Sequence, residues 1–205
     1  MTSDRRAVLA TISLGIVALL LFLWPSAAAP QGPSPRAPRD PAERIDPASE
    51  LEDRRAGFEG RWRLTQSQDQ AQRVVDRAVD RAVAPMSFFI RGIARDRLRE
   101  GTPIHREITI QLRDADRISV RFDDDESYTT RAGRTEIRTS PEGQRLRVRQ
   151  RFRPSGQLEQ VFETDEGARV YVYTPTGHGR LHLETTTESP RMPEPMYFEL
   201  DYARQ

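Results

Sequence analysis

One hairpin constrains this chain more than any other feature. Two short runs flank Pro154-Ser155-Gly156, and pairing them antiparallel puts Phe152 opposite Leu158, Gln150 opposite Gln160 and Val148 opposite Phe162. The same pairing sets Arg151 against Glu159, Arg147 against Glu163 and Arg145 against Asp165. Apolar and neutral partners meet on one face and opposite charges on the other, which is what cross-strand pairing rewards. A slip of one residue would mix the faces, so the register is determined.

The same alternation runs from Glu107 to Arg204 and predicts inward sets strand by strand. They are Ile108/Ile110/Leu112, Ile118/Val120/Phe122, Tyr128/Thr130, Thr135/Ile137/Thr139 and Leu146/Val148/Gln150/Phe152, then Leu158/Gln160/Phe162/Thr164, Val170/Val172/Thr174, Leu181/Leu183/Thr185 and Met196/Phe198/Leu200/Tyr202. Tight turns join them, so Phe162 is expected opposite Val170 and Tyr128 opposite Ile137. An earlier strand carries Trp62 and Leu64 on one face. Between it and the rest lie two helices. Ser67 and Gln70 have capping-box spacing before the stripe Val74, Val75, Ala78, Val79, Ala82, Val83. After Pro85 the stripe continues through Met86, Phe89, Ile90, Ile93 and Leu98, until Gly101 and Pro103 stop it. A ten-strand meander with one apolar face should close rather than leave two long edges. The expected fold is mainly β: an up-and-down antiparallel ten-stranded barrel with a two-helix insertion after the first strand.

Gly60-Arg61-Trp62, the helix pair directly after it and the nine strands that follow resemble the calycins, within them the fatty-acid-binding-protein branch. The resemblance covers Gly57 to Arg204. It implies a small hydrophobic ligand in the barrel interior, and a structural role for Trp62 stacked under Arg204. That branch grips a carboxylate with an inward arginine two residues before a tyrosine on the last strand. Here Leu200 precedes Tyr202, and the alternation places no arginine inward after the helices, so an uncharged head group is expected.

The interior sets the candidate site. Gln150 and Gln160 fall opposite each other, and Tyr128, Thr130, Thr185 and Tyr202 add hydroxyls to an apolar wall. Such a wall suits a neutral, lipid-like ligand. The alternative is a filled core in which the glutamines satisfy each other around a water. A filled barrel would make the chain a non-enzymatic envelope interaction module. Seven outward arginines, Arg134, Arg138, Arg145, Arg147, Arg149, Arg151 and Arg153, read as a solvated face paired with Glu136, Glu159, Glu163 and Asp165, with Glu136 across from Arg149. A calycin-type enzyme is the weakest reading, because no nucleophile can be named. The three histidines are scattered, and Asp123-Asp124-Asp125-Glu126 lacks the spacing of a calcium loop, so no metal or cofactor is implied.

Arg5 and Arg6 precede the uncharged stretch Ala7–Trp24, 18 residues long, with Ser26-Ala27-Ala28-Ala29 after it. Residues 1–25 read equally as a cleaved signal peptide and as a retained membrane anchor. Both readings put the remainder outside the cytoplasm, periplasmic or secreted, with the membrane as a partner if the segment is retained. Residues 26–56 are rich in proline and charge and are expected to form a disordered tether, leaving 57–205 as the barrel domain. Basic and acidic residues balance at 32 to 31, which argues against nucleic acid as a partner. The absence of cysteine excludes disulfides, thiol catalysis and a lipidated cysteine. Every basic residue is arginine, and asparagine is absent too, the mark of a GC-rich genome. The barrel is expected to act as a monomer.

Overall fold

The computed structural model describes residues 57–114, 116–123, 126–139 and 143–205. Residues 1–25, read as a signal or anchor, and 26–56, read as a tether, lie outside the described residues, as do Asp124 and Asp125. Among the described residues no helix is long and apolar enough to cross a membrane.

The elements run β1 (Gly60–Leu64), α1 (Gln68–Val83), α2 (Phe88–Glu100), β2 (Glu107–Arg113), β3 (Arg117–Phe122), β4 (Glu126–Arg131), β5 (Thr135–Thr139), β6 (Arg145–Phe152), β7 (Leu158–Thr164), β8 (Gly167–Gly177), β9 (Arg180–Glu188) and β10 (Met196–Arg204). All ten strands form one antiparallel sheet in the order β4-β3-β2-β1-β10-β9-β8-β7-β6-β5. The last strand returns to the first, with Trp62 opposite Arg204 and Leu64 opposite Tyr202. This is the calycin-like arrangement of elements that the sequence resembles. The predicted hairpin forms in the predicted register: Phe152 faces Leu158, Gln150 faces Gln160 and Arg151 faces Glu159.

The barrel is nearly closed. Among the described residues no backbone ladder joins β4 to β5, so Tyr128 and Ile137 are not paired as expected. Individual bonds cross the seam instead. Thr130 Oγ1 donates to Gln150 Oε1 at 2.9 Å and Gln150 Nε2 to the Tyr128 carbonyl at 3.3 Å, while in the turn joining β4 to β5 the Gly133 amide donates to the Gln150 main-chain carbonyl at 2.7 Å. At the outer edge the Arg131 amide donates to Glu136, and Arg138 pairs with Glu136 and donates to the Thr129 carbonyl.

Two strands present the other face from the one predicted. The β7–β8 turn has two residues, Asp165 and Glu166, with Thr164 opposite Gly167, so Phe162 faces Arg169 rather than Val170. That difference of one residue turns Arg169, Tyr171 and Tyr173 inward and the valines outward. The turn requires glycine: a Cβ on Gly167 would lie 2.1 Å from the Glu188 carbonyl oxygen. In β5, Glu136 lies opposite Val148 rather than Arg149, and Ile137 sits beside Arg147, more than half exposed.

The helices lie over the barrel end where β1 finishes and β8 and β10 begin. The Ser67/Gln70 capping box forms in both directions, and Ala71, Val75, Ala78, Val79, Ala82 and Val83 join the barrel core. Asp76 and Asp80 reach across to Arg99 and Arg95 of α2, while Arg81 donates to the Tyr197 carbonyl on β10. The stripe expected along α2 is not buried. Phe88 and Phe89 are 83% and 87% exposed, Ile90 and Ile93 are exposed, and only Leu98 of this helix joins the core.

On the outer wall Glu159 is buried beneath Arg151 and Arg153, each at 2.6 Å. Burial works to raise its pKa, but the hydrogen bonds and charges of Arg151 and Arg153 outweigh it and hold the carboxyl below its usual range. A carboxyl whose pKa is depressed by folding stabilises the native state above its unfolded value and loses that contribution as pH falls through the folded value. Glu159→Gln should therefore lower stability at pH 7 by about 1–2 kcal/mol. In urea unfolding the gap from the parent should close as the pH drops below about 4.

Candidate functional site

Register places Gln150, Gln160, Tyr171 and Thr185 in one row across β6, β7, β8 and β9, ending at Phe198 on β10. All are inward and buried. The two glutamines bond away from each other. Gln150 spends both ends of its amide on β4, through Thr130 and the Tyr128 carbonyl. Gln160 accepts the Tyr173 hydroxyl at 2.8 Å through Oε1, while its Nε2 has no partner. Two strands away the Thr185 hydroxyl is also buried without a partner. Burial, with the Tyr171 and Tyr202 charges adding to it, pushes the Tyr173 phenol well above its ordinary pKa, so it remains a donor.

A buried polar group left unbonded costs about 1–3 kcal/mol, and native proteins carry few of them. Gln160 Nε2 can only donate, and the Thr185 hydroxyl can do so. The two donors lie either side of Tyr171 on a wall that is otherwise apolar and aromatic. Tyr128 and Phe162 meet edge to face at 4.8 Å, and Tyr171 lies 5.5 Å from Phe122 and 5.8 Å from Phe162. Tyr202 stands apart from this row and donates to the His105 carbonyl at 3.0 Å. At the opposite end Trp62 is buried, with its Nε1 donating to the Phe58 carbonyl. The Arg204 guanidinium lies 4.7 Å over its ring and reaches the Gly57 carbonyl. That stack lies where β1 begins and β10 ends.

Arg169 corrects the expectation that no arginine faces inward. It is 7% exposed, and Nε donates to Thr187 Oγ1 at 3.3 Å while Nη2 donates to the Gly101 carbonyl. The cation thus sits at the C-terminus of α2, the end where the helix dipole favours it. It caps the helix and leaves a buried positive charge at the helix end of the barrel. The alternation misses it because β8 is apolar on both faces, with Val170 and Val172 on one and Tyr171 and Tyr173 on the other.

His105 escapes the sequence pattern as well, because it lies in the connection before β2 and belongs to no alternating run. Its ring stacks on inward Phe122 at 4.2 Å. Nδ1 lies 3.1 Å from Asp123 Oδ2, and Nε2 is buried without a partner. Asp123 Oδ1 accepts the Arg106 and Glu107 amides at 2.9 and 3.0 Å. Burial raises the Asp123 pKa, but the hydrogen bonds from His105 and from the Glu107 and Arg106 amides outweigh it and keep the group a carboxylate. A groove of about 490 Å³, lined by Arg63, Gln66, Arg106 and Glu107 among others, opens beside it. On the outer wall His182 lies between Asp201 and Glu199.

The unequal bonding of the glutamines has a direct test. Gln150→Leu strips partners from Thr130 and Tyr128 at the seam and should cost about 2–3 kcal/mol. Gln160→Leu frees only the Tyr173 hydroxyl and removes an unbonded amide, so it should cost less than half of that. Urea unfolding of the two variants decides the order.

No protein-family description matches this chain, and no curated protein matches it. Similar solved structures include fatty-acid-binding protein 1 of Echinococcus granulosus, with a TM-score of 0.48 and 9% identity over 73% of this chain and 98% of that one. The Schistosoma mansoni fatty acid binding protein, solved with arachidonic acid, gives 0.44 and 16% over 73% and 97%. Lipid binding protein 8 of Caenorhabditis elegans gives 0.45 and 13% over 73% and 96%. Likenesses this distant leave the functional reading to the chain's own interior.

Proposed function

We propose that this chain is an extracytoplasmic binding protein whose barrel holds one small hydrophobic molecule carrying a hydrogen-bond acceptor. The observation that carries this reading is the pair of unbonded buried donors, Gln160 Nε2 and Thr185 Oγ1, flanking Tyr171 in one register row. Polar oxygens of a ligand placed beside Gln160 Nε2 and Thr185 Oγ1 would satisfy these donors, while Phe122, Phe162 and Tyr171 offer apolar contact. The charge of the head group is open again, because the preference for an uncharged one rested on an interior without arginine, and Arg169 is inward. Extracytoplasmic placement, by a cleaved signal or a retained anchor, rests on Arg5, Arg6 and the uncharged Ala7–Trp24 stretch. A second reading, an interaction module that works through its exterior, draws on one observation: Phe88, Phe89, Ile90 and Ile93 form an exposed apolar arc on α2.

Mass spectrometry of lipid extracts from purified native protein should find a retained apolar molecule in roughly stoichiometric amount. The double change Gln160→Leu with Thr185→Val should lower its retention about tenfold or more, while the fold survives. Protein that emerges empty and takes up neither dodecanoic acid nor its methyl ester would favour the exterior reading. If both bind, a preference for the acid that disappears in Arg169→Gln assigns the head group to the mouth. Equal binding of acid and ester leaves Arg169 as the α2 cap alone. A cytoplasm-dependent reporter fused to the C-terminus should be silent, and an active one would overturn the placement.

A further inference from the structure

His105 has three features that no role in packing requires together. Its ring is 7% exposed, its Nε2 is buried with no hydrogen-bond partner, and its Nδ1 is engaged by a carboxylate that is itself held rigidly. Asp123 has little freedom. Its Oδ1 is fixed by two consecutive backbone amides, so Oδ2 is the oxygen left for the ring. A carboxylate oxygen only accepts, so Nδ1 must carry the proton and the neutral ring presents a bare lone pair at Nε2. That lone pair is a hydrogen-bond acceptor of fixed direction in a buried position. The cost of leaving it unbonded is the same as for the donors at the barrel waist.

Its place relative to the waist is set by ring contacts. His105 stacks on Phe122, Phe122 lies 5.5 Å from Tyr171, and Tyr171 stands between the two unbonded donors. The His105 carbonyl is held by the buried Tyr202 hydroxyl, so the residue is anchored from the last strand as well. An acceptor therefore lies two ring contacts from the donor pair, toward the helix end of the barrel.

We propose that His105, oriented by Asp123, accepts a hydrogen bond from a hydroxyl group of an apolar ligand at the helix end of the barrel. This rests on the barrel-binding reading and narrows it to ligands that carry a hydroxyl, such as long-chain alcohols or hydroxylated esters. Asp123 is a positioning residue. It touches no ligand and acts by choosing which nitrogen of His105 bears the proton.

The test exploits that choice. In Asp123→Asn the side-chain oxygen stays with the two backbone amides and the new amide N–H group faces Nδ1. The imidazole must then move its proton to Nε2, turning the acceptor into a donor. The backbone favours the variant, because Asp123 has φ 47° and asparagine tolerates that conformation. The probes are dodecan-1-ol and 1-methoxydodecane, which match in chain and differ in the hydroxyl donor, with binding measured by calorimetry on the full chain. The parent should bind the alcohol about tenfold more tightly than the ether. Asp123→Asn should abolish or reverse that ratio, and His105→Phe, which keeps a ring over Phe122, should bring it near one. Nitrogen-15 NMR of the ring, with three histidines to assign, should show the Nδ1–H tautomer in the parent and Nε2–H in Asp123→Asn.

Probe binding with no preference for the alcohol, or with a preference that survives both substitutions, overturns the His105 site and leaves the barrel-binding reading standing. A parent spectrum showing Nε2–H or a doubly protonated ring under the conditions of the binding assay overturns it too. If neither probe binds the parent, the barrel-binding reading fails and the His105 site falls with it.

Discussion

Everything inside this barrel depends on how its one missing ladder is replaced. Nine strand junctions are closed by backbone hydrogen bonds, and among the described residues β4 meets β5 with no ladder. An open seam would leave two edges and an interior wet along one side. The Gln150 side chain prevents this by imitating a peptide unit. It accepts from Thr130 and donates to the Tyr128 carbonyl, much as a backbone amide on β5 would have done. The Gly133 amide, in the turn joining β4 to β5, takes the Gln150 main-chain carbonyl, so one residue holds β4 with its side chain and that turn with its main chain. A buried polar side chain on the inward face is thereby a structural necessity at this position.

The neighbouring Gln160 has the same residue type, the same face and the same depth, and a different job. It lies between two complete ladders, so no edge needs its amide. Tyr173 uses one end and leaves the other unbonded. The contrast is one of bonding: the glutamine at the seam is fully bonded, and the glutamine one strand further keeps an unbonded donor. Thr130 and Thr185 divide in the same way. The Thr130 hydroxyl is bonded within the seam and the Thr185 hydroxyl has no partner.

Much of this is legible in the amino-acid sequence, and the failures have specific causes. The β6–β7 register can be read because its two faces differ in kind, with apolar side chains on one and alternating charge on the other. The inward positions of Gln150, Gln160, Thr130 and Thr185 follow from that alternation. The faces of β8 do not differ in kind. Val170 and Val172 compete with Tyr171 and Tyr173, and only the length of the Asp165-Glu166 turn decides between them. One residue in that turn hides Arg169 and two tyrosines together. On β5 the charged Glu136 and Arg138 occupy the side that apolar alternation assigns to Ile137, because seam bonds outweigh burial for a strand with one neighbour. On α2 the periodicity is correctly apolar, yet periodicity cannot say which side of a helix the barrel will meet.

His105 shows a deeper limit. Nothing local to Ile104-His105-Arg106 marks it, since its environment is assembled from the end of α2, the β3–β4 turn and the last strand. Thr102 Oγ1 donates to the Leu98 carbonyl and Arg169 takes the Gly101 carbonyl, which fixes where the helix stops. Tyr202 takes the His105 carbonyl and Asp123 takes its ring. The segment from Gly101 to His105 is thus held at both ends by strands that are remote in the chain. The Arg169 cap and the His105 acceptor share this segment, so a change that frees the helix end would also loosen the imidazole. The end of α2 and the His105 imidazole are in this sense one mechanical unit, built from backbone carbonyls that no sequence pattern displays.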